Sequence, residues 1–211
     1  VERFNRKEQE KHTRKKDILE AALVLFSEKS YHEVTVDEIA KRVGLSKGTL
    51  YLYFDTKENL FFSIIQEKTE ALFSRLQSAI QDNAPYLHRL ENFIKAYFAF
   101  FEEYQAYFKI IHSEKRRMEV PNRNRMRNHI TKSYYDYDHL LLNFMKEGQD
   151  RGLFRDMKPE IITNTLRGLL NSFIFQCVFT EEKCSLVEEA PYVLDLFLNG
   201  VKNEESTRRS S

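Results

Sequence analysis

The residues best suited to surface chemistry lie between Thr35 and Lys57, where Lys47, Gly48, Thr49, Tyr51 and Tyr53 are interleaved with the apolar Leu50 and Phe54. A lysine ammonium pairs with anions, and threonine and tyrosine hydroxyls give and accept hydrogen bonds. A tyrosine ring adds an apolar face, and glycine leaves the backbone open to close approach. The pattern is one of recognition, not catalysis. The six histidines are scattered, no H-E-x-x-H pair or glycine-rich phosphate loop occurs, and no serine or cysteine has a partner at motif spacing. No active site, metal site or cofactor is therefore expected. Cys177 and Cys184 are too few for a disulfide framework, lack metal-ligand spacing, and fit a reducing compartment.

Short helices around a tight turn must position the Lys47–Tyr53 group. Thr35 and Glu38 form a T-x-x-E capping pattern ahead of Val36, Ile39, Ala40 and Val43. Gly44 can supply a left-handed helix end, and Ser46 can cap the next helix through its hydroxyl. That next helix turns Leu50 and Phe54 inward and leaves Lys47, Thr49, Tyr51 and Tyr53 on other faces. Upstream, between Lys16 and Lys29, Ile18, Ala21, Ala22, Leu25 and Phe26 recur at i, i+3, i+4, i+7 and i+8. The result is one apolar stripe, which the two following helices can cover.

The series Ile18-Leu19-Glu20-Ala21-Ala22 with Leu25-Phe26, Tyr31, Thr35-Val36 with Ile39-Ala40, Gly48-Thr49-Leu50-Tyr51 with Tyr53-Phe54, and Lys57-Glu58 with Leu60-Phe61 resembles the TetR family of bacterial transcriptional regulators over residues 14–62. The resemblance implies a third helix in the DNA major groove, with Tyr51 and Tyr53 facing DNA and Lys47 and Thr49 as groove or phosphate contacts. It implies Gly48 as the point of close approach, and Thr35 and Lys57 as backbone clamps at neighbouring helix starts. Ser30 departs from the family's usual glycine at the end of the first helix, where serine would cost more than glycine at positive φ. The family mechanism further implies a homodimer on a pseudo-palindromic operator, with recognition helices about one DNA turn apart. An effector in the C-terminal bundle would tilt the fourth helix.

Composition agrees with an all-α protein: 211 residues carry only 6 Gly and 4 Pro, with 17 Phe and 11 Tyr. The net charge of +1 excludes a globally basic nucleic-acid binder, but Arg3, Arg6, Lys7, Lys11, Arg14, Lys15 and Lys16 outnumber Glu2, Glu8 and Glu10 at the start of the chain. No run approaches the roughly 20 apolar residues of a membrane span, and no signal pattern opens the chain. A bacterial cytosolic or nucleoid location without membrane insertion is expected. The expected organisation is a basic arm at 1–12, a helix-turn-helix domain at 13–56, a helical ligand-binding and dimerisation domain at 57–201, and a disordered tail at 202–211, with about nine helices in all.

A fourth helix, capped by Thr56 or Asp55, is expected through Leu60, Ile64, Leu72 and Leu76 to about Asp82, where Asn83-Ala84-Pro85 breaks it. Later apolar spacings predict a helix through Leu90 and Phe101, a shorter one near 106–113, and a long one through Tyr137 and Gly148 that Gly152 ends. Of two final helices, at 159–180 and 185–200, the first reads as apolar almost all round. Together with Val193, Leu194 and Phe197 it is expected to bury a face against a second copy.

Phe93, Tyr97, Phe101, Phe108, His112, Tyr134, Tyr137, Leu141, Phe144 and Phe173 are the candidates to line a cavity for a small lipophilic effector, an expectation resting chiefly on the resemblance. Arg123, Arg125 and Arg127 would suit an anionic head group, and Asp136 and Asp138 amid tyrosines a lipophilic cation, with the apolar or anionic ligand preferred. The resulting reading is a ligand-responsive repressor on double-stranded operator DNA. Its rival is a DNA-associated interaction protein of the same fold with no small effector.

Overall fold

The computed structural model describes residues 2–113, 125–180 and 185–201, and within them the side chains of 8–113, 135–180 and 185–201. Among the described residues the regular elements are nine helices: α1 (Glu2–Glu28), α2 (Val36–Arg42), α3 (Lys47–Tyr51), α4 (Lys57–Ile80), α5 (Tyr86–Glu103), α6 (Gln105–Ser113), α7 (Arg125–Asp150), α8 (Pro159–Phe179) and α9 (Leu186–Val201). The protein is all-α, as its composition and periodicity require. The chain divides into two compact units, Val1–Thr69 with Ala106–Thr131, and Glu70–Gln105 with Lys132–Ser211.

In the first unit the apolar stripe of α1 closes over α2, α3 and the start of α4, burying Ile18, Leu19, Ala22, Leu23, Phe26, Ile39, Ala40, Leu50, Phe54, Leu60 and Phe61. The helix itself begins at Glu2, well before the stripe that placed its start near Lys16. Residues 8–17 are exposed, yet this stretch has no glycine or proline and is rich in Glu, Lys, Arg and Gln, whose propensities sustain a solvated helix. Apolar spacing is blind to such an extension.

The corner after α1 also departs from expectation. Among the described residues no non-glycine adopts positive φ, so Ser30 is unstrained. Its N–H and hydroxyl both donate to Glu33 Oε2, at 2.9 and 2.6 Å, and these two bonds pull the Glu33 carboxyl below its usual range. A serine–glutamate turn replaces the glycine. Farther along, Lys68 of α4 is buried with its Nζ 2.6 Å from Glu20 Oε1 of α1, and the hydroxyls of Thr69 and Tyr107 meet at 2.8 Å.

The second unit is built on α5, which buries Tyr86, Leu90, Phe93, Ile94, Tyr97, Phe98, Phe100 and Phe101. Helix α9 packs against α5 and α8. Gly152 ends α7 at φ +70°, as expected of a helix-terminal glycine. Val193 and Phe197 are fully buried inside the unit, Phe197 against the Phe154 ring, and so are core residues instead of display residues. Helix α8 is not apolar all round either: Asn164, Thr165, Gly168 and Ser172 lie on an exposed stripe with Ile161, Phe175 and Phe179. Counting apolar residues missed that stripe because its small and polar members sit between large ones. Cys177, expected as a thiol, is disulfide-bonded; a count of two cysteines argues against a framework but not against one bridge. Cys184, the segment 114–124, and the tail at 202–211 lie outside the described residues.

Candidate functional site

The turn between α2 and α3 is fixed by backbone chemistry at both ends. Thr35 Oγ1 accepts from the Glu38 N–H at 3.2 Å while Glu38 Oε2 accepts from the Thr35 N–H at 2.8 Å, a complete capping box. At the other end of α2, Gly44 takes φ +67°, its N–H donates to the Lys41 carbonyl at 3.2 Å, and the Leu45 N–H donates to the Ala40 carbonyl at 2.8 Å. That paired geometry needs a left-handed residue, which glycine supplies without a Cβ clash. Ser46 Oγ then accepts from the Thr49 N–H at 3.1 Å and starts α3.

With Leu50 and Phe54 buried, the rest of α3 and its exit face outward. Lys47, Gly48 and Tyr51 are exposed, while Thr49 and Tyr53 are half-buried. Leu52, which the residue types alone did not single out, is 79% exposed, and its signal was its place between two outward tyrosines. The structure thus gathers Lys47, Gly48, Thr49, Tyr51 and Tyr53 on one short helix and its exit, able to offer a cation, hydroxyls and aromatic edges to one partner.

The charged groups around this face are paired. Lys47 Nζ lies 2.6 Å from Asp37 Oδ2, and that bond and charge raise the lysine's pKa. Glu38 accepts from Lys29 Nζ at 2.7 Å; this bond first, then the Thr35 N–H and hydroxyl, pulls its carboxyl down to about 2. Lys57 donates to the Tyr31 and Val34 carbonyls at 2.8 and 2.9 Å and lies 4.3 Å above the Tyr31 ring, pinning the α1–α2 corner to the start of α4. An open groove of about 780 Å³ runs between Tyr53 and the exposed part of α1, lined by Gln9, Glu10, Lys11, Thr13, Arg14 and Asp17.

In the second unit, Phe93, Tyr97, Phe101, Tyr137 and Phe144 form one run of rings. Phe93 meets Tyr97 and Phe144 at 6.3 and 6.2 Å, and Tyr97 meets Phe101 and Tyr137 at 5.0 and 6.5 Å. Leu141 is fully buried, and Phe173 is half-buried with its ring 6.3 Å from Phe98. Two further candidates, Phe108 and His112, stack on each other at 6.1 Å in the first unit, with His112 exposed. The side chains of Tyr134, Arg123, Arg125 and Arg127 lie outside the described residues. Polar groups break the apolar lining: the Tyr97 hydroxyl donates to Asn171 Oδ1 at 3.2 Å, and Arg167 Nη2 reaches Asp138 Oδ1 at 2.8 Å. Residue types had marked Asp138 but not Arg167, whose helical position one turn before Asn171 could have suggested it.

A capped helix–turn–helix with an outward Lys-Thr-Tyr face, in a chain whose other unit is helical with an aromatic interior, defines a DNA-binding regulator of the helix-turn-helix class. Residues 18–64 match the family model for bacterial regulatory proteins, tetR family, and residues 83–174 match the tetracyclin repressor-like C-terminal domain. The chain belongs to the TetR family of transcriptional regulators. It is similar to the fatty acid metabolism regulator protein of Bacillus subtilis strain 168, with 26% identity over 188 residues, 89% of this chain and 95% of that one. Among solved structures it resembles the Bacillus subtilis transcriptional regulator FadR in complex with stearoyl-CoA, at TM-score 0.72 and 25% identity over 87% of this chain and 97% of that one. The ketosteroid transcriptional regulator KstR2 of Mycobacterium tuberculosis shares the fold at TM-score 0.76 and 22% identity, over 90% of this chain and 96% of that one. The protein is thus a DNA-binding transcriptional regulator and not an enzyme. Among the described residues no helix is long and apolar enough to cross a membrane.

Proposed function

We propose that this chain is a cytoplasmic homodimeric repressor, released from a pseudo-palindromic operator when a long-chain acyl effector enters the interior of its C-terminal domain. The observation that carries the reading is the outward Lys47–Tyr53 face on its doubly capped frame, in a chain aligned over nearly its whole length with a fatty acid metabolism regulator. In this reading residues 13–56 form the DNA-binding domain and 57–201 the effector and dimer domain. Lys47, Thr49, Tyr51 and Tyr53 contact the groove, Gly48 admits the backbone, and Thr35 and Lys57 present neighbouring helix starts to phosphates.

The dimer surface proposed is the outward stripe of α8 and α9, where Ile161, Phe175, Phe179, Tyr192 and Leu196 are each at least 45% exposed. Large apolar side chains grouped on adjacent helices are more than scattered surface residues require. The effector site proposed is the ring cluster of Phe93, Tyr97, Phe101, Tyr137, Leu141, Phe144 and Phe173. Those rings touch one another, so an acyl chain takes its space by parting them. The same contacts favour the rival, an effector-free DNA-associated protein. An effector acts only through unequal affinity for the two DNA spacings, and reversing a 99:1 preference takes about 5.5 kcal/mol.

The experiment is selection of bound sequences from random duplex DNA, with sedimentation of the protein alone and with the selected site. The proposal expects an inverted repeat with half-sites about one helical turn apart, bound by dimers. Enrichment of a single half-site by a monomer would overturn it.

A further inference from the structure

The second unit holds polar atoms that its own packing leaves unsatisfied. Tyr137 of α7 is only 9% exposed, its ring stacked on Tyr97 at 6.5 Å, yet its hydroxyl has no hydrogen-bond partner. The neighbouring Tyr97 hydroxyl is close enough to pull the Tyr137 pKa down by weak hydrogen bonding, but it gives its own proton to Asn171 and does not close a full hydrogen bond with Tyr137. Arg167 of α8 lies 5.9 Å above the Tyr137 ring; its Nη2 is held by Asp138, while its Nε is buried without a partner. Buried polar groups are almost always paired, because a donor stripped of water and given nothing in return opposes folding. Two such atoms in one aromatic cluster call for a partner from outside the chain.

Both orphans are donors. Arg167 Nε–H has no acceptor capacity, and burial, the largest influence on Tyr137, pushes its hydroxyl up to about 12 and keeps its proton in place. What completes them is an acceptor oxygen. A neutral oxygen fits better than a carboxylate, because Asp138 already balances the Arg167 charge and an added anion would be buried without a counter-ion.

Resting on the effector reading above, we propose that Tyr137 O–H and Arg167 Nε–H bind the carbonyl oxygen of an acyl thioester whose chain lies among Phe93, Tyr97 and Phe144. The rings supply apolar area and the two donors fix where along the chain the thioester stops. Such a site discriminates by an oxygen as well as by chain length, since a ligand without it leaves both donors stranded.

The test uses the full chain and three probes: stearoyl-CoA, its S-octadecyl thioether analogue in which a methylene replaces the carbonyl, and stearate. Tyr137→Phe should weaken stearoyl-CoA binding about fivefold and leave thioether binding unchanged. Without ligand the same variant should melt no lower than wild type, because it deletes a hydroxyl with no protein partner. Arg167→Lys, which keeps the charge opposite Asp138, should also lose affinity for the thioester selectively. If wild type binds stearoyl-CoA and Tyr137→Phe binds it equally well, the carbonyl site is overturned while the effector reading stands. A marked loss of melting temperature in unliganded Tyr137→Phe overturns it too, since the hydroxyl then has a partner in the fold. Tight stearate binding that depends on Tyr137 would reassign the donors to a carboxylate and overturn the thioester. If wild type binds none of the three probes, the effector reading fails and takes this proposal with it.

Discussion

Replacing Gly148 with alanine sets two effects of known size against each other. Alanine favours a helix over glycine by about 0.5–1 kcal/mol, so at an open site on α7 the change would stabilise the protein. Gly148 is not open. A Cβ there would meet Phe154 Cε2 and stand 2.6 and 2.8 Å from Tyr86 Oη and Cζ. Neither ring is free to retreat. Tyr86 is 4% exposed, lies against the Phe144 ring at 4.7 Å, and donates its hydroxyl to the Phe144 carbonyl at 2.9 Å. Phe154 is held between Tyr86 and Phe197, with ring centroids 5.8 Å apart in both pairs. Overpacking a filled site costs about 1–3 kcal/mol, and loss of the buried phenol bond about 1 kcal/mol more. Steric cost wins, with a net destabilisation of about 1–3 kcal/mol in urea titration at unchanged m. Tyr86→Phe alone should cost about 1 kcal/mol, and the double variant less than the sum, because the clashing oxygen is gone. A gain in stability from Gly148→Ala would refute the reasoning, since it would mean the two rings yield freely.

Tyr51→Ala should weaken binding to a selected operator by about 1–3 kcal/mol with an unchanged melting temperature, and Lys47→Ala should lower the log-log salt slope by about 0.9. Asp37→Asn should tighten DNA binding, because it frees Lys47 from a carboxylate 2.6 Å away and removes a negative charge near phosphate; equal or weaker affinity would contradict this. Glu38 carries a folded pKa of about 2 against an ordinary 4.5, so its stabilisation is full above pH 4.5 and lost as pH falls toward 2. Glu38→Gln should therefore flatten the acid limb of helicity measured by circular dichroism, and an unaltered limb would refute it. Leu196→Asp or Phe175→Asp should give monomers in sedimentation while each chain stays folded, since these residues are 55% and 45% exposed. Intact dimers from both variants would rule out the α8–α9 stripe.

Local chemistry was legible in the sequence wherever a residue acts on its near neighbours. The Thr35–Glu38 box, the left-handed Gly44, the Ser46 cap and the terminating Gly152 each bond within a few residues, so spacing alone revealed them. Features without an apolar signature were hidden, as the polar first half of α1 shows: propensity sustains it, not burial. The sidedness of α8 and α9 was misread because apolar type does not tell inside from outside. Val193 and Phe197 face the core while Tyr192 and Leu196 face away, a choice made by packing on α5. Partnering across helices was the least legible. Nothing in the order of residues says that Lys57 caps two carbonyls of the α1–α2 corner, or that Tyr137 and Arg167 share a ring face with donors unmade.

The central claim, a repressor whose DNA affinity falls when an acyl ligand enters its C-terminal interior, is met most directly by one titration. Fluorescence anisotropy would follow the wild-type protein on its selected inverted repeat as stearoyl-CoA is added, with coenzyme A alone as control. The account predicts that stearoyl-CoA releases the DNA in a saturable manner and raises the melting temperature of the free protein, while coenzyme A does neither. An operator complex indifferent to stearoyl-CoA and to every other acyl chain length tested would contradict it and leave the effector-free DNA-binding protein as the reading that survives.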